Sequence, residues 1–356
     1  MHFDHGAVPD AYIGYIRKKS WLLFVLFSLM AILFLISLCN GAVKLPLLDV
    51  VQTLMLDAPS RKADLIVWHI RLPQTVIAIL SGAGLAASGA VMQSVLKNPL
   101  ASPFTLGISH AAAFGAALSV ILMGTGVMAS SSSDAVAISN PLITVATAFS
   151  FSIFTALIII FISGKKGASP QVMVLTGVAL GSLFTAGTML LQFFADDVQL
   201  AAMVFWTFGD LARADWNDIA LIAPVVLMLL GFFLVKSRDY NGMAMGDESA
   251  KGIGIQVEWI RLSGMLAASL MTALIISFVG IISFVGLAAP HIVRRIIGDD
   301  HRFLLPASIL AGALILLAAD MVARLIMLPH VLPVSIFTAF LGAPVFIYLI
   351  IKGDPR

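Results

Sequence analysis

Charge and cysteine are scarce in this chain. Of its 356 residues only 11% are charged while 60% are hydrophobic, against about 25% and roughly 45–50% in soluble domains. An ordinary soluble domain is thereby excluded. The single cysteine, Cys39, rules out an intrachain disulfide and any cysteine-based metal cluster. There is no Walker A loop, so the chain has no phosphate cradle for hydrolysing ATP. An HExxH zinc site and a GxSG nucleophile are also missing, and the Asp196-Asp197 and Asp299-Asp300 pairs lack the further acid of a DDxxD diphosphate site. These absences count against an integral membrane enzyme, and no catalytic residue is assigned. The histidines, His2, His5, His69, His110, His291, His301 and His330, form no HxH or HxxxH pair, so no metal site is assigned either. Carboxylates are almost missing from the apolar segments, Asp320 apart. An ion-gradient-driven secondary transporter, the other alternative, usually needs ionisable groups at mid-membrane.

What the chain has in abundance is long apolar runs, most of them near the roughly 20 residues needed to cross a hydrocarbon core of about 30 Å. The expected fold is all-α, a polytopic membrane helical bundle forming a single transmembrane domain over residues 1–356. Spans are expected near 20–40, 66–93, 104–123, 141–163, 170–194, 216–235, 259–279, 281–298, 304–327 and 333–352, about ten in all. The run after Arg17, Lys18 and Lys19 is too long for a secretion signal and is kept as the first span. Span 8 is short and begins at Gly280, so spans 7 and 8 are alternatively one broken hairpin.

Placing the N-terminus inside puts Arg17, Lys18, Lys19, Lys97, Lys165, Lys166, Lys236, Arg238, Lys251, Arg261, Arg294, Arg295, Arg302, Lys352 and Arg356 on the cytoplasmic side. Only Lys44, Arg61, Lys62, Arg71, Arg213 and Arg324 fall outside. That asymmetry predicts an N-in, C-in topology. The tryptophans Trp21, Trp68, Trp206, Trp216 and Trp259 fall near span ends, as interfacial anchors do. Gly82, Ala86 and Ala90, then Gly84 and Ser88, then Gly177 and Gly181 form small-residue stripes that let helices approach closely. Residues 130–133, all serine, read as a flexible outer loop, and 198–214 as a short outer helix across the bundle.

The longest polar interval is residues 236–261, KSRDYNGMAMGDESAKGIGIQVEWIR. It is too charged to be buried in lipid and must lie in water at one face. Within it, Gly246, Asp247, Glu248, Ser249, Ala250, Lys251, Gly252, Ile253, Gly254 and Ile255 read as a short helix with acids at its start and glycines at its end, the order that suits the helix dipole and a C-terminal stop. A merely solvated loop and a surface pressed against another protein both fit this composition.

Four stretches narrow the choice: RLPQTVIAILSGAGLAASGAVMQSVLKNPLASPFTLGISHAAAFG from Arg71, the loop MGDESAKGIGI, the segment FVGLAAPHIVRRIIGDDHRFLLP from Phe284, and ADMVARLIMLPHVLPVSIFTAFLGAPVFIYLIIK from Ala319. Together they resemble the FecCD-type permeases of bacterial and archaeal ABC importers, which carry iron siderophores, haem, vitamin B12 and related metal chelates. The resemblance runs from span 2 nearly to the end.

The resemblance implies a transport subunit, not an enzyme, located in the plasma membrane as a multi-pass protein. It implies as partners a second permease subunit (homo- or heterodimer), two cytoplasmic ABC ATPase subunits, an extracytoplasmic substrate-binding protein and the lipid bilayer, with no nucleic acid. ATP and Mg would be used by the partner ATPase, and no cofactor would be bound by this chain. Gly246 to Ile255 match the family's coupling loop. Arg71 and Arg324 match arginines that meet acids on the binding protein, although snorkelling to lipid headgroups is the plainer reading of either. Asn98, Pro99, Pro290, His291 and Asp320 match gating or structural motifs, with Asp320 one turn before Arg324 on the same helical face. The family's RLPR is RLPQ here, so Gln74 removes one docking charge, and Val331 and Ser335 stand where an acid and a glycine are usual.

Overall fold

The computed structural model describes residues 10–128, 136–327 and 330–351. The serine loop at 130–133 and His2, His5, Lys352 and Arg356 lie outside the described residues. Helix α1 (Asp10–Cys39) is followed by the amphipathic α2 (Leu47–Leu54), then by α3 (Arg61–Asp64), which Ser60 caps by accepting from the Ala63 N–H. A π-helical turn at Leu65–Arg71 joins α3 to α4 (Leu72–Val95) without a break. Next come α5 (Ile108–Leu122) and the short antiparallel strands β1 (Gly126–Met128) and β2 (Val136–Ile138), with Gly126 opposite Ile138. The middle of the chain forms α6 (Pro141–Gly164), α7 (Pro170–Phe194), α8 (Asp197–Thr207) and α9 (Trp216–Val235). Two small helices, α10 (Ser237–Ala244) and α11 (Asp247–Gly252), lead to α12 (Val257–Val279), α13 (Val285–Ile297), α14 (His301–Leu325) and α15 (Val334–Ile351).

Among the described residues, 7 helices are long and apolar enough to cross a membrane: Tyr12–Cys39, Arg61–Val95, Pro141–Gly164, Pro170–Phe194, Trp216–Val235, Val257–Val279 and His301–Leu325. The other expected spans contain shorter helices. At 1.5 Å per residue, the 13 residues of α13 rise only about 20 Å, less than a hydrocarbon core.

Helix α4 is the axis of the bundle. Of its apolar window 83% is buried within the chain, against 11% for α1 and 17% for α7, so α4 is the centre and the other two are rim. Its small residues make this possible. A Cβ on Gly89 would lie 1.7 Å from the Gly286 carbonyl oxygen of α13, and one on Gly82 would lie 2.3 Å from the Gly312 oxygen of α14. With no side chain in either gap, backbone meets backbone, and the predicted stripe has its packing role. Gly177 and Gly181 of α7 likewise face Leu106 and Gly107 at the start of α5.

Helix α12 stops at Val279 because Gly280 takes φ +78, and α13 does not begin until Phe284 has taken φ +65. The unwound segment between them is tied to the turn after α8 and to the start of α15. Val279 accepts from the Asp210 N–H, and the neighbouring Gly209 bonds Val334 and Ser335 at the start of α15. The outer helix expected over 198–214 is α8 followed by a 3-10 turn at Leu211–Arg213. One tryptophan departs from the interfacial reading. Trp206 is 3% exposed and packs with Ala112, Ala116, Ala148 and Ile276, because α8 lies with that face against the bundle.

Candidate functional site

The polar interval folds from its apolar residues outward. On α10, Tyr240 and Met243 are fully buried, and burial pushes the Tyr240 phenol up. Asn241 fixes this helix to α14, donating to the Asp300 carboxylate at 2.9 Å and accepting from the His301 N–H at 2.7 Å. Asp300 also binds the Arg302 guanidinium, which holds its carboxyl well below the usual carboxylate range. Gly242 leaves room for Ile255, whose Cδ1 lies 2.1 Å from where a Cβ would be.

Gly246 then turns the chain at φ +106, a conformation natural to glycine, and α11 begins at Asp247. Its closing turn uses Gly254 at φ +88, with the Ile255 N–H donating to the Ala250 carbonyl. The acids-first, glycines-last order read from the sequence thus builds a real helix, and that helix has two faces. Ala250 is buried and Asp247 points back toward the bundle, whereas Glu248 is 93% exposed and Met245, Ser249, Lys251, Gly252 and Ile253 are exposed beside it.

The inward face ends on one guanidinium. Arg261 of α12, 2% exposed, donates to both Asp247 carboxylate oxygens at 2.9 and 3.0 Å, to the Val95 carbonyl at 2.8 Å and to the Ala168 carbonyl at 3.2 Å. Lys97 adds a second cation 2.6 Å from Asp247. Burial pushes the Asp247 carboxyl up, but the Lys97 and Arg261 hydrogen bonds outweigh it, and the net shift is below the ordinary value. Beside these contacts, the Asn98 side chain accepts from the Leu100 N–H at 2.9 Å, closing the turn that carries Pro99. Pro290 is buried inside α13 and His291 is half-buried beside it. Nothing in the sequence singled out the Arg261 and Lys97 contacts, because their partners lie in segments far apart along the chain.

At the opposite end, Arg71 and Arg324 are not where free surface arginines would be. They are 4% and 7% exposed. Arg71 donates to the Leu38 carbonyl at 2.6 Å and to the Val43 carbonyl, so the segment leaving α1 folds over it. The last carbonyls of a helix attract a cation. Arg324 pairs with Asp320 at 2.8 Å and donates to Ser37 at 2.7 Å, and Ser37 is 3.0 Å from Thr75. Gln74 donates to Asp320 at 2.9 Å. The residue that departs from RLPR therefore faces a carboxylate inside the protein and ties α4 to α14. The exposed basic side chains of this region are Lys44, Arg61 and Lys62.

Two open cavities flank the rim helices. One of about 550 Å³ lies between α5 and α7, lined by Thr105, His110, Ser182 and Thr185. Another, about 660 Å³, lies between the unwound segment at Ile281 and Ser283 and the Ser335–Phe340 stretch of α15. Among the described residues no three side chains of His, Cys, Asp or Glu converge to hold a metal ion.

Comparison with known proteins places this geometry. Residues 29–352 match the model of the FecCD transport family. An ABC transporter permease protein of Methanocaldococcus jannaschii is 48% identical over 98% of this chain and 99% of its own length. An iron(3+)-hydroxamate import system permease of Bacillus subtilis is 34% identical over 93% of this chain and 96% of its own. A vitamin B12 import system permease of Klebsiella pneumoniae is 35% identical over 96% of each. Among solved structures, an inward-facing metal-chelate-type ABC transporter superposes with a TM-score of 0.81 at 29% identity, covering 94% of this chain and 99% of that one. Sequence and fold agree over nearly the whole length, and the chain belongs to the FecCD transport family.

Proposed function

We propose that this chain, a permease subunit of an ATP-binding-cassette importer, moves an iron chelate or cobalamin-like metal complex inward by alternating access. In this reading it crosses the plasma membrane about ten times, N-in and C-in, and receives cargo from an external binding protein. It works as one subunit of a permease dimer, driven by two cytoplasmic ATPases that hold the ATP and Mg. The observation that carries the reading is the two-faced helix α11. Its exposed Glu248 and Lys251, with Met245 just before it and Ile253 just after, form a small mixed surface that a protein partner would cover, while its other face is bonded to the bundle. The sparse internal burial of α7 supports a role for that helix at a boundary with lipid or a second permease.

The gating or structural role assigned to Asn98, Pro99, Pro290, His291 and Asp320 is proposed on their positions. Asn98 and Pro99 sit beside the Arg261 contacts, Pro290 and His291 lie on the short helix after the break, and Asp320 lies in the outer polar cluster. The secondary-transport alternative loses its best residue there, because Asp320 is already held by Arg324 and Gln74.

For the outer face, docking of the binding protein at Arg71 and Arg324 requires displacement of the segment that covers Arg71 and release of Arg324 from Ser37 and Asp320. Lys44, Arg61 and Lys62 offer charge without it. The test of the whole reading is ATP-dependent uptake of a ferric hydroxamate or cobalamin into proteoliposomes holding the permease with its ATPase and binding protein. Uptake that follows an ion gradient and ignores ATP would overturn it.

A further inference from the structure

The assignment of residues 246–255 to ATPase coupling treats that segment as one contact surface. The structure divides it. Asp247 is turned away from the exposed face and meets Arg261, and the guanidinium has all three nitrogens engaged: Nη2 on Asp247, Nε on the Val95 carbonyl and Nη1 on the Ala168 carbonyl. Four separate parts of the chain converge there: the small helix α11, the start of α12, the end of the central helix α4, and the turn between α6 and α7. A planar five-donor fork can hold several acceptors in fixed directions, which a lysine cannot.

A second observation is independent of these bonds. Among the described residues, the only non-glycines with positive φ are Leu56, Lys97, Ala168 and Phe284. Two of them belong to this junction: Lys97 at φ +49, reaching Asp247, and Ala168 at φ +53, offering its carbonyl to Arg261. Left-handed backbone is costly for residues with a Cβ, and it persists where surrounding contacts over-determine it.

We propose that Asp247, Arg261 and Lys97 are positioning residues that transmit displacement of α11 to the bundle. Asp247 is the link and does not itself touch the ATPase. The proposal rests on the reading of α11 as the ATPase contact. When the exposed face of α11 is pushed, the carboxylate carries the guanidinium with it. The guanidinium pulls on the end of α4 and on the turn that leads into α7, one helix at the axis of the bundle and one at its rim. Gly246 and Gly254, both at positive φ and with no atoms near their missing Cβ, bracket α11 and let it move as a unit.

The experiment separates the two faces. The permease is purified with its ATPase subunits in nanodiscs, with Cys39→Ser and spin labels on cysteines replacing the exposed Lys44 and Asp197, which report on the ends of α1 and α7. Distances are read with and without ATP and vanadate. For Asp247→Asn the proposal predicts retained recovery of the ATPase and an ATP-dependent distance change reduced about tenfold in population. Asp247→Glu restores part of it. For Glu248→Lys it predicts loss of ATPase recovery. Should Asp247→Asn fail to fold, Lys97→Gln removes the exposed second cation and is expected to reduce the distance change in part while ATPase recovery holds.

An undiminished distance change in Asp247→Asn, or in Lys97→Gln where that variant stands in, overturns the transmission role. Loss of ATPase recovery in Asp247→Asn to the same extent as in Glu248→Lys makes Asp247 a partner contact and also overturns it. Normal recovery and normal distance change in Glu248→Lys overturns instead the reading of α11 as the ATPase contact, and no ATP-dependent change in the parent overturns alternating access.

Discussion

The side chains of Asp247 and Glu248 leave the first turn of α11 about 100° apart, one bonded to Arg261 and Lys97 and the other 93% exposed, and adjacent acids therefore have unlike surroundings. Reversing both together would mix a broken internal ion pair with an altered docking surface. The pH response distinguishes them. Since the folded-state pKa of Asp247 is depressed, its contribution is present above the unfolded carboxylate value of about 4 and is lost as pH falls through the folded one. The thermal-stability difference between the parent and Asp247→Asn is expected to be constant from about pH 5 to 8 and to shrink only in stronger acid. Differential scanning fluorimetry in detergent measures it. At the outer end, Arg324→Met leaves Asp320 buried without its cation. Removing one partner of a buried pair costs about 3–5 kcal/mol, so a clear drop in melting temperature is expected. Reversal of the exposed Lys44, Arg61 and Lys62 to Glu is expected to leave that temperature near the parent's. If a binding protein docks at these residues, as proposed, its affinity measured at two salt concentrations is expected to fall in the same triple reversal and no longer to weaken as salt rises. Unchanged affinity would remove those residues from the docking face.

At the scale of elements, the small-residue stripes and the α11 motif are legible in the amino-acid sequence, because both are local patterns. Gly82 does meet α14 and the 246–255 stretch does contain a helix. The direction in which charges point is not a local pattern, and the sequence does not carry it. Arg71 and Arg324 read as outer-end arginines with water or headgroups in reach, yet the segment leaving α1 folds over Arg71 and Ser37 of α1 itself bonds Arg324. Arg261 reads as one more cytoplasmic cation, and the carbonyls that hold it, of Val95 and Ala168, carry no side-chain signature at all. The backbone contact at Gly89 gives an element-scale prediction. Gly89→Val puts a branched side chain where a single Cβ already lies 1.7 Å from the Gly286 oxygen, forcing α13 off α4. Folded yield by size-exclusion chromatography is expected to fall sharply, whereas Gly14→Val, where nothing lies within 4 Å, should leave it unchanged.

For the whole molecule, the axis, the rim and α11 are joined by one continuous set of bonds. The central α4 carries the Gln74–Asp320–Arg324 cluster at one end and the Arg261 contacts at the other. The rim helix α7 starts from the turn whose Ala168 carbonyl binds the same arginine. A push at α11 thus has a bonded route to both. The most direct measurement is site-specific photo-crosslinking in native membranes, with the crosslinking side chain placed at Glu248, at Asp247, or at Lys62 as the outer control. The account predicts that Glu248 captures the ATPase while Asp247 and Lys62 do not. No capture at Glu248, or capture at Asp247 equal to that at Glu248, would contradict it.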